Sequence, residues 1–581
     1  MDQRLTRRQF SKLLFASTTT TALSILANKT LAQTTVQSLD VVPPENNNQT
    51  PLKSGGVLTQ HNDNSRTGAN LSELLLNLSN VNQNQFGKLF TRAVDGQIYA
   101  QPLFLYNVNI SNQGTHNVVY VATMHNTVYA FDADDPKIPE PLWKTSLEPS
   151  VSLPDVNIGP PGYQDISVEV GIVSTPVISL DNNALYVVTF TKVNNGYSHW
   201  LHALDLITGA DKFSGPVQIS ASLAGSGDGS INGSIAFISN KHLQRAALLL
   251  SKNVIYIAFA SYGDADPYHG WVFGYNATTL KLTGVFNTTP NGREGGIWQS
   301  GQGPAADGEG NIYMITGNGS FSPNGTNLGD SFVKLKPDLT LADGFSPYNH
   351  DELDELDCDL GSIGVLLIPN TNLLLGAGKE GIFYLLDRDN MGRDNSANGS
   401  DSQIVQSFAA VSNPNCSQDP NQTHHIHGSP VYWNSPDGPY VYLWPENDFL
   451  RAFKLIDGKF QTTPVSQSTT VEPAAVPGGS LGMPGGMLSI SANGSTAGTG
   501  IVWASHPYDK NANQQVVTGI LRAYDAADLT RELWNSKQNS ERDDVGIFAK
   551  FCPPTVANGK VYMASFSGYL TVYGLQETSP I

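Results

Sequence analysis

The chain has 581 residues, among them 55 Gly, 34 Pro and 22 Tyr, with 14% charged residues and a formal net charge of −18. That acidic balance excludes nucleic acid and anionic membrane surfaces as natural partners, and the abundance of turn residues argues for short strands over long helices. The length exceeds a usual single core, a limit that repeat architectures escape because each unit adds its own core layer.

Residues 1–32 read as an address. LTRRQFSKLL (5–14) carries the adjacent Arg7 and Arg8, followed by an apolar stretch interrupted by threonines and by small residues near Ala32. This is the pattern of a twin-arginine signal peptide, and it places the mature protein in the periplasm or outside the cell. Its apolar part is too short and too rich in Thr for a membrane span, so no transmembrane segment is expected. Residues 33–54 are polar and rich in Pro and Asn, a disordered linker. Residues 55–581 are expected to form one domain.

Within that domain the chain repeats itself. VVYVAT (118–123), ALYVVT (184–189), VIYIAF (254–259), NIYMIT (311–316), NLLLGA (372–377), YVYLWP (440–445), GIVWAS (500–505) and KVYMAS (560–565) recur roughly every sixty residues, each followed by a second strand-like run. A spacing of this size suits one four-stranded blade. The last repeat lacks an outer strand, whereas FGKLFTRAV (86–94) precedes the first with nothing to pair with. The fold class is therefore all-β: an eight-bladed β-propeller of four-stranded antiparallel blades, closed by an N-terminal strand that leaves no open edge.

The residues able to do chemistry concentrate between Gly295 and Arg388. GGIWQSGQG opens the window at 295, Thr316-Gly317-Asn318 ends a strand, Leu356-Asp357-Cys358-Asp359 follows His350 and Asp351, and KEGIFYLLDR (379–388) closes it. In this order the stretch resembles the quinoprotein alcohol dehydrogenases, propellers that carry pyrroloquinoline quinone (PQQ). The turn ALDLITGADKF (203–213) resembles their blade repeat too, with Phe213 where the repeat has Trp. The resemblance implies that Trp298 floors the quinone, that Asn318 is a calcium ligand also touching the cofactor, that Asp357 is the catalytic base, and that Lys379 is the cation on the quinone. Asp357 and Asp359 join the implied Ca²⁺ ligands. It further implies an alcohol or sugar as substrate and an external electron acceptor, since no Cys-x-x-Cys-His for haem attachment is present.

Two departures stand against this reading. The family's second-blade glutamate maps to Asn194, and Glu169 is the acid expected to replace it as metal ligand. The family's adjacent cysteine pair is missing: Cys358, Cys416 and Cys552 are far apart and allow at most one bridge. The alternative is a cofactor-free propeller acting as a protein- or glycan-binding scaffold, and a hydrolase using the carboxylates of 351–359 is a third class. THHIHGSP (423–430) offers His424, His425 and His427, imidazoles suited to Zn or Cu, but reads first as a loop entering blade six.

Overall fold

A computed structural model describes residues 55–417, 419, 422–471 and 482–576; the signal peptide and linker lie outside the described residues. Eight antiparallel sheets are arranged in a ring as an eight-bladed β-propeller. The repeated runs are the second strands of successive blades: Gly114–Ala122, Ala184–Val193, Val254–Ser261, Ile312–Ile315, Leu373–Ala377, Gly438–Leu443, Ile501–Pro507 and Lys560–Met563. Blades stack face to face, so central strands are covered on both sides and read as nearly continuous apolar runs. Thr127–Asp132 and Gly519–Asp525 are buried along their whole length. Among the described residues no helix is long and apolar enough to cross a membrane.

The ring is closed as the sequence predicts. Phe86–Ala93 pairs antiparallel with Tyr569–Leu575, in a register running from Phe86 opposite Leu575 to Ala93 opposite Tyr569. Phe86 seals the joint, its ring 5.3 Å from that of Trp503 and 5.0 Å from that of Trp534. Turns between blades follow the repeat chemistry. Asp205 accepts from the backbone N–H groups of Ile207 and Thr208, and the Trp143 indole of the preceding blade donates to the Leu206 carbonyl. A Cβ on Gly209 would lie 2.5 Å from that indole, so the Thr-Gly turn is what lets the tryptophan dock.

Four strands per blade is the rule, with short additions that the sequence pattern did not announce. Gly56–Val57 extends blade one, Ala69–Asn70 runs parallel to Met487–Ser491 in blade seven, and Arg393–Asp394 runs parallel to the outer strand of blade four. Between the first two, residues 58–68 thread the axis. The carbonyls of Leu58, Asn64, Ser65, Thr67 and Gly68 accept from Ile178, Ala306, Leu367, Tyr432 and Ile490, one residue from each of five blades. Arg66 is fully buried there and donates to the carbonyls of Gln60, Leu248 and Pro304. Backbone carbonyls together with Thr59 Oγ1 thus satisfy a guanidinium that has lost its water.

Candidate functional site

The residues singled out between 295 and 388 meet at the junction of blades three, four and five. Asn318 follows the strand Ile312–Ile315, and its Nδ2 donates to Asp357 Oδ1 at 3.0 Å while its backbone N–H donates to Asp359 Oδ1 at 3.1 Å. The acidic run that leads to them is a short helix, His350–Glu355. Asp357 comes just after it with φ of 58°, a left-handed turn that swings its carboxylate back towards Asn318. Lys379 Nζ lies 2.6 Å from Asp359 Oδ2 and 3.5 Å from Asp357 Oδ1, and donates to the Asp357 carbonyl at 3.1 Å. Burial works against the charge on Lys379, but Asp357 and Asp359 outweigh it and raise its pKa, so the ammonium is held permanently charged.

Glycine makes this convergence possible. A Cβ on Gly317 would stand 2.2 Å from Asp359 Oδ1 and 2.7 Å from Trp298 Cδ1, so only glycine allows carboxylate and indole to approach across it. Trp298 is 9% exposed, packs edge-on against Tyr268 at 6.2 Å, and carries the Arg245 guanidinium over its ring at 5.4 Å. Arg245 also lies 4.6 Å from the Phe551 ring, within the field of the Asp165 and Asp359 carboxylates.

Glu169 stands apart from this group. It lies on the short strand Glu169–Val170, where its carboxylate pairs with His125 Nδ1 at 2.9 Å and accepts from Ser150. Asn194 is at the exposed tip of the hairpin between Ala184–Val193 and Gly196–Asp205. The acid that does join the cluster is Asp264, from the loop before Trp271–Asn276. Tyr268 donates to its Oδ1 at 2.9 Å, and burial, then the charges of Asp357 and Asp359, raise its pKa well above the usual carboxylate range. Sequence reasoning missed Asp264 because YGDADPYHG (262–270) reads as an ordinary Asp-Pro turn. Arg245 was missed as well, because in KHLQRAALLL (241–250) it follows other polar residues and belongs to no motif.

The one bridge the cysteines allow joins Cys358 to Cys416, and Cys552 remains a buried thiol. Cys358 sits between Asp357 and Asp359, so the disulfide anchors the two carboxylates to the loop before blade six. This is a different device from a bridge between adjacent cysteines.

Beside Trp298 is a small inner cavity of about 80 Å³, lined among others by Tyr99, Arg245, Trp298, Lys550 and Phe551. It shares Tyr99, Tyr163, Asp165, Ile166 and Lys550 with a wider outer cavity of about 330 Å³. The chemistry of this site fits a hard divalent cation, because the Asn318 Oδ1 is buried without a hydrogen-bond partner and the carboxylates of Asp357 and Asp359, which Lys379 balances only in part, offer oxygen ligands. It also fits a planar polyacid: aromatic faces from Trp298 and Phe551 with cationic heads from Arg245 and Lys550. Space sets a condition on the second. Sites for drug-sized ligands span ~300 Å³ or more, so a tricyclic quinone reaches the indole only when Arg245 leaves it.

No family model matches the chain, and no curated protein matches it. Among solved structures it is similar to a europium-containing methanol dehydrogenase, at 12% identity and a TM-score of 0.52 over 90% of this chain and 98% of the other. It is also similar to a quinohemoprotein alcohol dehydrogenase from Pseudomonas putida, at 16% identity and a TM-score of 0.50 over 91% and 82%. The fold is that of the quinoprotein dehydrogenases. At these identities the likeness concerns the fold, and the site must be judged by its own residues.

Proposed function

We propose that the protein is an exported quinoprotein-type dehydrogenase that oxidises an alcohol or sugar hydroxyl, with PQQ and Ca²⁺ held beside Trp298 and Asn318. The observation that carries this reading is the convergence of Asn318, Asp357, Asp359 and Lys379 around a buried amide oxygen that lacks a partner. Asn318, Asp357 and Asp264 would hold the cation, with Asp264 in the place for which Glu169 was expected. Trp298 would floor the quinone, and Arg245 and Lys550 would pair with its carboxylates. Bound there, the quinone supplies a two-electron acceptor and the cation a Lewis acid.

The chain's own residues do the rest. Asp357 accepts the substrate hydroxyl proton, its Oδ1 kept in place by the Asn318 amide and by Lys379. Lys379 remains charged throughout and puts a fixed positive field where negative charge develops. The aromatic walls of the inner cavity, Trp298 and Phe551 among them, would shield a quinone bound there from water.

One observation favours a second reading. Arg245 covers the face of Trp298 on which a quinone would stack, as a cofactor-free propeller that binds an anionic partner through Arg245 and Lys550 would have it. Adding PQQ and Ca²⁺ to the purified protein, desalting, and recording the quinone absorbance separates the two. Retention of one quinone per chain, with dye-linked oxidation of alcohols or sugars, is the expected result. Asp357→Asn should retain the quinone and lose roughly 10²- to 10⁴-fold in turnover. No retention at saturating Ca²⁺ would leave the binding scaffold in its place.

A further inference from the structure

Away from the carboxylates of blades three to five, a second cluster of ligating groups lies where the chain enters blade six. His425 and His427 are two apart in a stretch without regular secondary structure, their ring centroids 6.0 Å from each other. Glu446 arrives from the turn after Gly438–Leu443, and its backbone N–H donates to the His425 carbonyl at 3.0 Å. The three side chains are buried, and one ligand atom from each falls within 4.8 Å of the others.

From this geometry we infer a binding site for a first-row divalent transition metal, Zn²⁺ by chemical class, formed by His425, His427 and Glu446. Two imidazole nitrogens and one carboxylate are a borderline-soft set that suits Zn²⁺ and its neighbours and is unlike the all-oxygen set around Asn318. The spacing is close to what a metal needs. Tetrahedral ligands about 2.1 Å from a metal are roughly 3.4 Å apart, and His427 Nε2 is already 3.3 Å from Glu446 Oε1. His425 Nδ1 lies 4.0 Å from Glu446 Oε2, so a small turn of one ring completes the set.

Without a metal the cluster is poorly satisfied. His425 Nε2 is buried with no hydrogen-bond partner, and Glu446 Oε1, buried as well, faces only the His427 imidazole without a well-formed hydrogen bond. Three protein ligands leave a tetrahedral ion one open position. The His427 ring is 6.5 Å from that of Phe551, which lines the inner cavity.

The test is metal retention by the full chain. The protein is stripped with a chelator, dialysed against Zn²⁺ in a thousandfold excess of Ca²⁺, desalted, and analysed for metal. One zinc per chain is expected. His427→Gln and Glu446→Gln should each weaken retention by tenfold or more, while Asn318→Ala and Asp357→Asn should keep it, which separates this site from the one proposed for Ca²⁺. Co²⁺ in the wild type should give intense visible d–d bands of a four- or five-coordinate ion, a readout independent of how well any variant folds. Zinc held equally by the His427 and Glu446 variants, or a Co²⁺ spectrum of the hexaaqua type, would overturn the assignment.

Discussion

Replacing both Cys358 and Cys416 by Ser tests how the fold and the candidate site are joined. The bridge closes a loop with a sequence separation of 58 residues. In the chain-entropy treatment, a loop of that length stabilises the native state by about 4 kcal/mol at 25 °C, the upper end of what removal should cost. A local effect is superimposed. Asp357, the neighbour of Cys358, is a non-glycine residue at φ of 58°, a conformation that costs about 1–3 kcal/mol and persists only while its surroundings enforce it. Freed from the bridge, Asp357 can relax, and cation affinity should fall by roughly one to two decades. Urea titration followed by tryptophan fluorescence gives the first quantity, and calcium calorimetry on the same samples gives the second. The oxidised wild type should show a single thiol, Cys552, reactive only after denaturation because it is buried with a raised pKa. Equal urea midpoints and equal cation affinities for the wild type and the double-Ser variant would refute the reasoning.

Phe86→Ala should destabilise the ring by about 3–5 kcal/mol, since it empties the space against Trp503 and Trp534 at the closing strand; a denaturation midpoint unchanged from wild type would contradict closure through this strand. His199 is fully enclosed, both ring nitrogens lack a partner, and burial lowers its pKa to about 3. The unfolded chain therefore takes up the proton first, so this residue costs stability as pH falls from about 6.5 towards 3 and nothing above that window. His199→Phe, which keeps the stacking on Phe190 at 4.6 Å, should flatten the acid limb of stability measured by thermal unfolding. Arg245→Ala should raise quinone uptake if the guanidinium only blocks the indole and lower it if Arg245 pairs with the quinone's acid groups; the proposed function expects the second, in equilibrium dialysis.

The ring was legible in the sequence because its physics is local and repeated. Eight apolar runs at near-constant spacing, each followed by a second strand-like run, leave few other ways to bury the same faces. Even the closure could be read, from an outer strand lacking at one end and a spare one at the other. The axial segment could not. Residues 58–68 bind through backbone carbonyls to five blades, and backbone acceptors leave no trace in side-chain identity. The same divide runs through the site. Trp298, Asn318, Asp357 and Lys379 share a motif order, while Asp264 and Arg245 enter from another blade and become visible only once three-dimensional proximity is known. Glu446 illustrates it again. The histidines at 425 and 427 could be noticed, but the acid that completes their cluster is nineteen residues further on, in a turn with no metal-binding spacing.

Under the proposed function, charge balance favours the Asn318 cluster as the place for a hard cation. Three carboxyl groups, Asp264, Asp357 and Asp359, face one ammonium, Lys379. Left alone, that set can relieve its excess negative charge in two ways: a proton or a metal. The raised pKa of Asp264 is the first, with burial and the charges of its two neighbours keeping a proton on it. A divalent cation is the second, and it would take the proton's place, so binding should release a proton into solution at any pH where Asp264 is still protonated. Such release, absent in Asp264→Asn, would be seen in calorimetry as a dependence of the binding enthalpy on the ionisation heat of the buffer. An enthalpy that does not change with buffer would mean that Asp264 stays protonated, and that the cation is held by Asn318 and Asp357 without it.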